Sequence, residues 1–510
     1  MNNVLIETLT PLHVGSGRVL QSNTEYLYFD SSREISVIDE TKILSIIGEE
    51  NIDIWVNVIE KNQNLLDYLR NRSPNLTPQE THRRIMRLRG NSNPAQGKNG
   101  IREHLFSGNG QALLAGSSLK GAIRTAFFNH VVFSNKVKAK NFRNLQNQNG
   151  KFKGVKIEKE YLGSDPNKDI FRLLRVGDFS FQQTECVLAE TLNQRYDTFE
   201  MKEQVKQHIE CIPARQFSIG RIQVPESLLK QIQKRASVWH SMTNLEHLTD
   251  LSKLFSYINS HSLRLVKNEI RKYEKVHLPE KADSFVEELN KLADQIENVK
   301  PNECIIRVGF GSGYLGMTGG WPLEVWKNDM NIDYVQKIKD LGTEVRRNNR
   351  YNDYDLPKSR KMTLGGIPLG FIKMSILDSD ASDRWTTYLL DERRKAEEQE
   401  QLQQQKSVEL AEQHAKALEE QKELERLQAE EARKPKMYEG NLKKNATIID
   451  AEVISVTGNK VKLKLFASNQ ENNFKEITHA TLKVGMIVQV LVKMVAGNGK
   501  IVAIEFKNIK

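Results

Sequence analysis

The chain has 510 residues and a formal net charge of +10, with 38% hydrophobic and 27% charged residues. That length allows several domains that each bury a core, and that charge favours a polyanionic partner. Its three cysteines (Cys186, Cys211 and Cys304) stand far apart without a Cys-x-x-Cys pair, which excludes a disulfide framework and a zinc site. No apolar run reaches the ~20 residues that a membrane span needs. The first residues also lack a basic-then-apolar leader, so we expect a cytoplasmic protein without a membrane partner. We expect no metal or cofactor, because the sequence contains neither a metal-ligand cluster nor a G-x-x-x-x-G-K-[ST] motif.

The first predicted element is a strand at residues 4–9, and it runs directly into a loop that contains Pro11, His13, Gly15 and Gly17. His13 is the candidate acid–base residue, because ribonucleases that use the RNA 2′-hydroxyl need such a group. A lone histidine is more often a packing or hydrogen-bonding residue, so both interpretations stay open.

The next segments are predicted as a hairpin, a helical region and a loop. Residues 26–38 are typical of a hairpin, and Asp39 is placed to cap a helix from Thr41. Residues 51–90 are predicted to be mostly helical and to end in a cluster of arginines. The glycine, asparagine and serine content of residues 90–110 then predicts a mobile loop.

A second motif begins with two serines. Ser117 and Ser118 precede apolar residues at helical spacing, which predicts an N-cap and the start of an amphipathic helix. Lys120 and Arg124 stand four residues apart and so project from one face. Because a helix start carries unpaired N–H groups and a partial positive charge, we predict an anion seat that binds RNA phosphate here. An ordinary capped helix with solvated cations is the alternative.

The middle of the chain alternates between predicted strands and predicted helices. Strands are expected at residues 171–179, 209–213, 216–224, 304–308 and 370–374, and helices at residues 243–298 and 331–341. Strands separated by helices in this order predict an α+β body of two lobes with helical insertions.

A third motif follows the strand at residues 304–308. Six of the twelve residues from 309 to 320 are glycine. Gly311, Gly313 and Gly316 are candidates to bring backbone N–H groups close to a phosphodiester. They also match G-x-G-x-x-G, but a dinucleotide site needs an immediate helix and a second strand ending in an acidic residue, which do not follow here. A flexible surface loop is the other alternative.

A basic stretch interleaved with tyrosines begins at Arg346, continues to Lys358, Arg360 and Lys361, and precedes the closing strand. Arg346, Arg347 and Arg350 are candidates to contact RNA phosphates, and the tyrosines could stack on bases. A charged run is equally often a solvated loop.

The tail has two parts of opposite charge. Residues 391–434 hold nine Lys/Arg against thirteen Asp/Glu and lack Gly and Pro, which predicts a solvated spacer helix, with a coiled coil as the alternative. Residues 435–510 hold twelve against six and contain five short alternating segments, which predict a small barrel resembling an S1-like OB module. Phe466 and Phe474 are its candidate stacking residues or core residues. The predicted domains are residues 1–180, 181–390, 391–434 and 435–510.

The loop with Gly15 and Gly17, the serine motif and the third motif together resemble the RAMP superfamily of CRISPR proteins. Their order and spacing are most similar to the fifth Csm subunit, the family of terminal RAMP subunits in type III-A effector complexes. The resemblance covers roughly residues 1–380.

The resemblance implies ferredoxin-like (RRM-like) lobes and a non-catalytic RNA-binding subunit that grips the guide RNA toward its 3′ end. It also implies docking on the repeating backbone RAMP subunit, a part in guide RNA maturation by recruiting host nucleases, and a role in antiviral defence. By motif, the RNA-binding candidates are Gly15, Gly17, Ser117, Ser118, Lys120, Arg124, Gly311, Gly313 and Gly316. The alternative function is a RAMP endoribonuclease that processes CRISPR precursor RNA with His13 as acid and base.

Overall fold

We describe a computed structural model over residues 3–61, 63–96, 99–134, 155–195, 198–234, 242–274, 278, 280–316, 321, 359–467 and 474–510. The chain divides into two compact units, Met1–Gln403 and Gln404–Lys510, which are described separately. In the described ranges, no helix is long and apolar enough to cross a membrane.

The first unit contains both strands and helices. Its strands are β1 (Asn3–Thr8), β2 (Gly15–Leu20), β3 (Tyr26–Phe29), β4 (Glu34–Ile38), β5 (His82–Arg89), β6 (Ile101–His104), β7 (Ala112–Leu114), β8 (Arg175–Val176), β9 (Phe179–Phe181), β10 (Glu185–Arg195), β11 (Thr198–Cys211), β12 (Phe217–Gln223), β13 (Glu303–Arg307), β14 (Ser359–Thr363) and β15 (Phe371–Leu377). Its helices are α1 (Glu40–Ile47), α2 (Ile52–Glu60), α3 (Leu65–Arg72), α4 (Gly116–Ser134), α5 (Val155–Leu162), α6 (Glu226–Gln233), α7 (Met242–Thr249), α8 (Leu251–Tyr273) and α9 (Glu280–Glu297), and α10 (Ser379–Arg433) continues in sequence past Gln403.

The first sheet has β1 at its centre. Its strand order is β13-β15-β1-β12-β8, and all neighbours are antiparallel. Val4 and Ile6 of β1 are fully buried in one core with Leu119, Ile123 and Phe127 of α4. The predicted apolar stripe of the serine-motif helix is therefore confirmed, and it is buried in the same core as the first strand of the chain.

The second sheet is mixed. Its order is β2-β6-β11-β10-β5-β4-β3, with β14 paired to β10. β6 and β11 are parallel, as are β5 and β10, and the other neighbours are antiparallel. Both sheets contain strands from before and after residue 180, so the two sheets are interleaved in sequence. The predicted domain limits at residues 180 and 390 stay predictions.

Several predicted elements hold and others are corrected. The α+β class, the hairpin, the Asp39 cap, the long helical region and the closing strand are confirmed. The end of the region at 51–90 is β5 and not helix, because His82, Met86 and Leu88 alternate inward against β4. The predicted loop at 90–110 contains β6.

One further prediction in the first unit is corrected, and another falls outside the described residues. The strand predicted at residues 171–179 is a short 3₁₀ turn at Ile170–Arg172 followed by β8 and the start of β9. The predicted helix at residues 331–341 lies outside the described residues.

The second unit contains β16 (Ile448–Thr457), β17 (Lys460–Phe466), β18 (Phe474–Thr478), β19 (Ile487–Val495) and β20 (Ile501–Ile509). They form an antiparallel sheet in the order β18-β17-β16-β19-β20 around a separate apolar core. This is the predicted small OB-like barrel, partly open because β18 and β20 are not hydrogen-bonded to each other among the described residues.

The predicted spacer helix is also confirmed. α10 begins at Ser379, twelve residues before the predicted start at 391, and ends at Arg433, shortly before Pro435. Leu402, Leu424 and Leu427 are each more than half exposed, as a solvated helix requires.

Candidate nucleic-acid interface

The first and third motifs meet in space. The Phe310 N–H donates to the His13 carbonyl oxygen at 2.9 Å, and the Gly370 N–H donates to the Pro11 carbonyl oxygen at 2.9 Å. We call residues 10–17 and 309–316 the loop junction. It joins two segments nearly 300 residues apart in the chain, beside the end of β1 and of β13.

Glycine is required inside this junction. Gly309 has a φ of +71°, and a Cβ there would lie 2.3 Å from the His13 carbonyl oxygen. A Cβ on Gly311 would lie 2.2 Å from the Leu369 carbonyl oxygen. These two glycines therefore allow the protein's own backbone segments to pack together.

The other predicted glycines differ in exposure. Gly15, Gly17 and Gly313 are exposed, whereas Gly316 is half-buried, and a Cβ there would lie 2.7 Å from the Ser312 Cβ. The exposed glycines leave the backbone accessible to a ligand. Their predicted RNA contacts stay predictions.

His13 is buried at the base of the first loop, with 3% of its surface exposed. Its Nδ1–H donates to the Glu210 carbonyl oxygen at 2.6 Å, which attaches the loop to β11. Burial lowers the pKa of His13 to about 4, and burial lowers that of the neighbouring His104, whose ring centroid is 5.9 Å away, to about 3. Both imidazoles are therefore neutral at pH 7.

A buried ion-pair network lies beneath the junction. Glu210 is fully buried and receives two hydrogen bonds of 2.9 Å from the Arg84 guanidinium. Arg84 also contacts Glu103 at 3.0 Å, and the Thr184 hydroxyl donates to Glu210 at 3.0 Å. Arg84 is one of the arginines at the end of the region 51–90 that was predicted to be helical. Its ion pairs link β5 to β6 and β11.

A second group of cations surrounds the Phe310 ring and lacks carboxylate partners of this kind. The Lys361 Nζ lies 3.4 Å from the ring centroid of Phe310, and the Arg102 guanidinium carbon lies 5.7 Å from it. In the described part of the chain neither cation has a carboxylate partner, whereas the adjacent Lys206 pairs with Glu190 at 3.2 Å. Burial, and then the charge of Arg102, lower the pKa of Lys361. We call Arg102, Phe310 and Lys361 the Phe310 cluster.

The Phe310 cluster borders a cavity of about 190 Å³ together with Asn99, Lys206 and Gln207. Two like charges beside one aromatic ring repel each other, and an anion in the cavity would relieve that repulsion. The cluster therefore favours a ligand that carries both negative charge and a planar group.

The start of α4 differs from the prediction. The helix begins at Gly116, whose N–H donates to Asp178 Oδ1 at 2.7 Å, and the Ser118 N–H donates to the Ala115 carbonyl oxygen at 3.0 Å. Ser117 and Ser118 lie in the first turn, so the serine N-cap prediction was wrong. A carboxylate from the loop after β8 already occupies the first N–H.

The cations of α4 are also partly neutralised. Arg124 contacts Asp169 at 2.7 Å and Glu158 at 3.5 Å. Lys120 and Arg124 border a cavity of about 510 Å³ that Asp165 also lines, and burial lowers the pKa of Lys120. Phosphate binding by Ser117, Ser118, Lys120 and Arg124 stays a prediction, in a site with more negative charge than the sequence indicated.

α4 also approaches the third motif. Ala122 lines a cavity of about 50 Å³ with Gly313 and Gly316 of the loop junction. Arg307, at the end of β13, lines it as well, and its Nη2 has no hydrogen-bond partner although the atom is buried. The third motif therefore lies near both the first motif and α4.

Sequence reasoning missed Arg102, Phe310 and Arg307 as a group. Arg102 fell in a segment predicted as a loop, and Phe310 was not singled out within the glycine-rich loop. An aromatic residue inside a glycine-rich loop was the available signal. Arg346, Arg347 and Arg350 lie outside the described residues, whereas Lys361 of the same predicted stretch belongs to the Phe310 cluster.

The described residues contain no group of three His, Cys, Asp or Glu side chains placed to hold a metal ion. The site is built instead from backbone loops, unpaired cations and an aromatic ring. The two sheets and their helices make the first unit an α+β protein. Its glycine-rich loops lie beside unpaired cations, which is a surface suited to a polyanion.

The chain belongs to the RAMP superfamily, whose family model matches residues 5–404. It is 27% identical over 403 residues to the CRISPR system Cms protein Csm5 of Methanocaldococcus jannaschii, covering 74% of this chain and 89% of that protein. The resemblance to the RAMP superfamily is therefore confirmed, and the matched range ends where the second unit begins.

Two solved structures share the fold. One is a chain of the cryo-EM Csm-crRNA-target RNA ternary complex of a type III-A CRISPR-Cas system, with a TM-score of 0.52, 16% identity, and coverage of 74% of this chain and all of that chain. The other is the crystal structure of T. onnurineus Csm5, with a TM-score of 0.50, 15% identity, and coverage of 73% of this chain and all of that chain.

Proposed function

We propose that the chain is a non-catalytic RNA-binding subunit of a type III-A CRISPR (Csm) effector complex. In that complex it grips the guide RNA toward its 3′ end and supports guide RNA maturation and antiviral defence. Its partners are the guide RNA, the other Csm subunits (chiefly the repeating backbone RAMP subunit) and host nucleases. Membership of the RAMP superfamily and the similarity to Csm5 support this proposal.

The observation that carries the proposal is the Phe310 cluster. Phosphate oxygens bind cations without reading sequence, and an unstacked base binds an aromatic ring or a guanidinium plane. A cluster that offers both, at the point where two motifs of the family meet, suits a single-stranded guide whose sequence varies.

The endoribonuclease alternative would use His13 as acid and base. Its burial, its bond to the Glu210 carbonyl and a pKa of about 4 argue against that role, since a catalytic base works best with a pKa near the working pH. We expect His13→Asn, which keeps a side-chain N–H for that carbonyl, to leave precursor RNA processing unchanged. The measurement is cleavage of repeat-containing RNA by purified protein without metal. A cleavage activity that the wild type has and the variant lacks would contradict a non-catalytic role.

The proposed function is tested by isolating the tagged full chain from its source cells, sequencing the bound RNA and identifying the co-purifying proteins. We expect repeat-derived guide RNAs together with other Csm subunits. Recovery of neither would overturn the proposal. Recovery of Csm subunits after guide RNA has been digested would separate docking on the complex from RNA binding.

A further inference from the structure

The second unit lies beyond the matched family range, and we propose that it carries its own binding site for single-stranded RNA. The site is the outer face of β17 and β18, which we call the lysine face and define by Lys460, Lys462, Lys464 and Phe474. This site is independent of the Phe310 cluster and does not rest on the function proposed for the first unit.

The lysine face follows from strict alternation along β17. Val461 and Leu463 are fully buried in the core of the unit, while Lys460, Lys462 and Lys464 between and beside them are exposed. Since successive side chains on a strand point to opposite faces, all three ammonium groups stand on one side. Neighbouring lysines are two residues apart, or about 6.6 Å along the strand. A row of cations at that spacing suits the successive phosphates of a stretched strand.

An aromatic side chain stands beside this row. Phe474 of β18 is directly opposite Lys464 in the strand register and is 39% exposed, although it is a large apolar residue. The Lys462 Nζ lies 5.0 Å from its ring centroid, and the Lys464 Nζ lies 5.7 Å from that of the half-buried Phe466. An exposed ring among cations is the arrangement on which bases of a single strand stack.

The lysines of this face form no ion pair among the described residues. Glu452 and Glu476 stand opposite Lys464 and Lys462 in the register, yet neither forms an ion pair with a lysine of this row. Elsewhere in the unit lysines do pair: Lys493 contacts Glu505 at 2.6 Å, and Lys510 contacts Asp450. Glu452 and Glu476 therefore lie near the lysine face, but none of its three ammonium groups is held in an ion pair with a residue that the structure describes, so all three remain available to a ligand.

The sheet order supports the same site. The order β18-β17-β16-β19-β20 places β17 and β18 as the second and third strands of a five-stranded OB-like barrel. Oligonucleotides bind to the face of these two strands in such barrels. Basic and aromatic side chains therefore lie where the architecture presents a ligand surface.

The test uses the full chain and a single-stranded RNA of about 12 nucleotides that contains 4-thiouridine, a length within the range one OB fold covers. After irradiation, crosslinked peptides are identified by mass spectrometry. We expect crosslinks within residues 459–478 in the wild type. In the K460A/K462A/K464A variant, crosslinking to this segment should fall about tenfold, while crosslinks to the first unit persist.

The matched control is K443A/K444A/K483A, which removes the same charge from exposed loop positions of the same unit. We expect the control to retain the crosslinks at residues 459–478 and Phe474→Ala to lose most of them. Melting temperatures equal to the wild type would show that the unit stays folded, as expected for exposed side chains.

Equal losses in the lysine-face variant and the control would overturn the proposal, because the effect would then be one of net charge alone. Absence of any crosslink in residues 404–510 would also overturn it and would favour an acidic protein partner for the lysine face. Crosslinks in the first unit only would leave the function proposed for that unit intact while refuting this one.

Discussion

The loop junction and the start of α4 were both predicted from sequence as anion sites, and the structure treats their cations differently. At the start of α4, Asp178 accepts from the first helical N–H, and Arg124 contacts two carboxylates. At the junction, Arg102 and Lys361 flank an aromatic ring with no carboxylate partner in the described residues. The difference teaches that the position of the counter-charges decides whether a cation supports the fold or is available to a ligand.

The strongest test of this comparison removes a counter-charge from beneath the junction. Glu210→Gln should lower the free energy of unfolding by about 3–5 kcal/mol, because it leaves the Arg84 guanidinium without its main partner. The measurement is urea denaturation of the full chain. Glu158→Gln near α4 is the matched control and should cost less than about 1 kcal/mol, since that pair is partly exposed. Equal losses in the two variants would break the comparison.

Acid should weaken the junction through His13. Its pKa is 6.5 in the unfolded chain and about 4 in the folded one, so the unfolded state takes up a proton first as the pH falls. Stability is therefore fully present above pH 6.5 and is lost as the pH falls from 6.5 to 4, by about 3 kcal/mol for this residue. The neutral variant His13→Asn should lose less stability over that range. Identical pH profiles for variant and wild type would contradict the buried, neutral state of His13.

Glycine substitutions should have opposite effects in the two regions. Gly309→Ala should destabilise the chain by about 2 kcal/mol, because its φ is +71° and the new Cβ would meet the His13 carbonyl oxygen. Gly121→Ala in α4 meets open space and should stabilise the helix by about 0.5–1 kcal/mol. Thermal melting of both variants compares them directly. A stabilising Gly309→Ala would show that the two loops do not pack as described.

The sequence predicted the parts of the fold that depend on local periodicity. The stripe of Leu119, Ile123 and Phe127, the closing strand β15 and the alternating strands of the second unit each follow from one window of sequence. β5 was missed because its arginines obscured the alternation, and one of them, Arg84, turns inward to a carboxylate on β11. That contact joins residues 126 positions apart, so no single window of sequence contains both partners.

The loops of the candidate site were predicted from sequence, and so was the cation Lys361, but the charge pairing of the site was not. The glycine content identified both halves of the loop junction, because close packing of backbones permits few other residues. Two features of the site depend on tertiary contacts between segments far apart in the chain. Arg124 pairs with Asp169. Arg102 and Lys361 lie beside Phe310 without a carboxylate partner among the described residues. No local pattern carries that information.

The most direct test of the central claim compares guide RNA binding by two double variants of the full chain over a range of salt concentrations. R102A/K361A should bind about tenfold more weakly, with the slope of log affinity against log salt reduced by about 1.4, as expected for two lost contacts to single-stranded phosphate. K120A/R124A should weaken binding by less than about threefold, because Arg124 is already paired. K61A/K300A, at two exposed lysines elsewhere in the first unit, is the control for net charge. A larger loss in K120A/R124A than in R102A/K361A would contradict the account and would make the start of α4 the RNA-binding site.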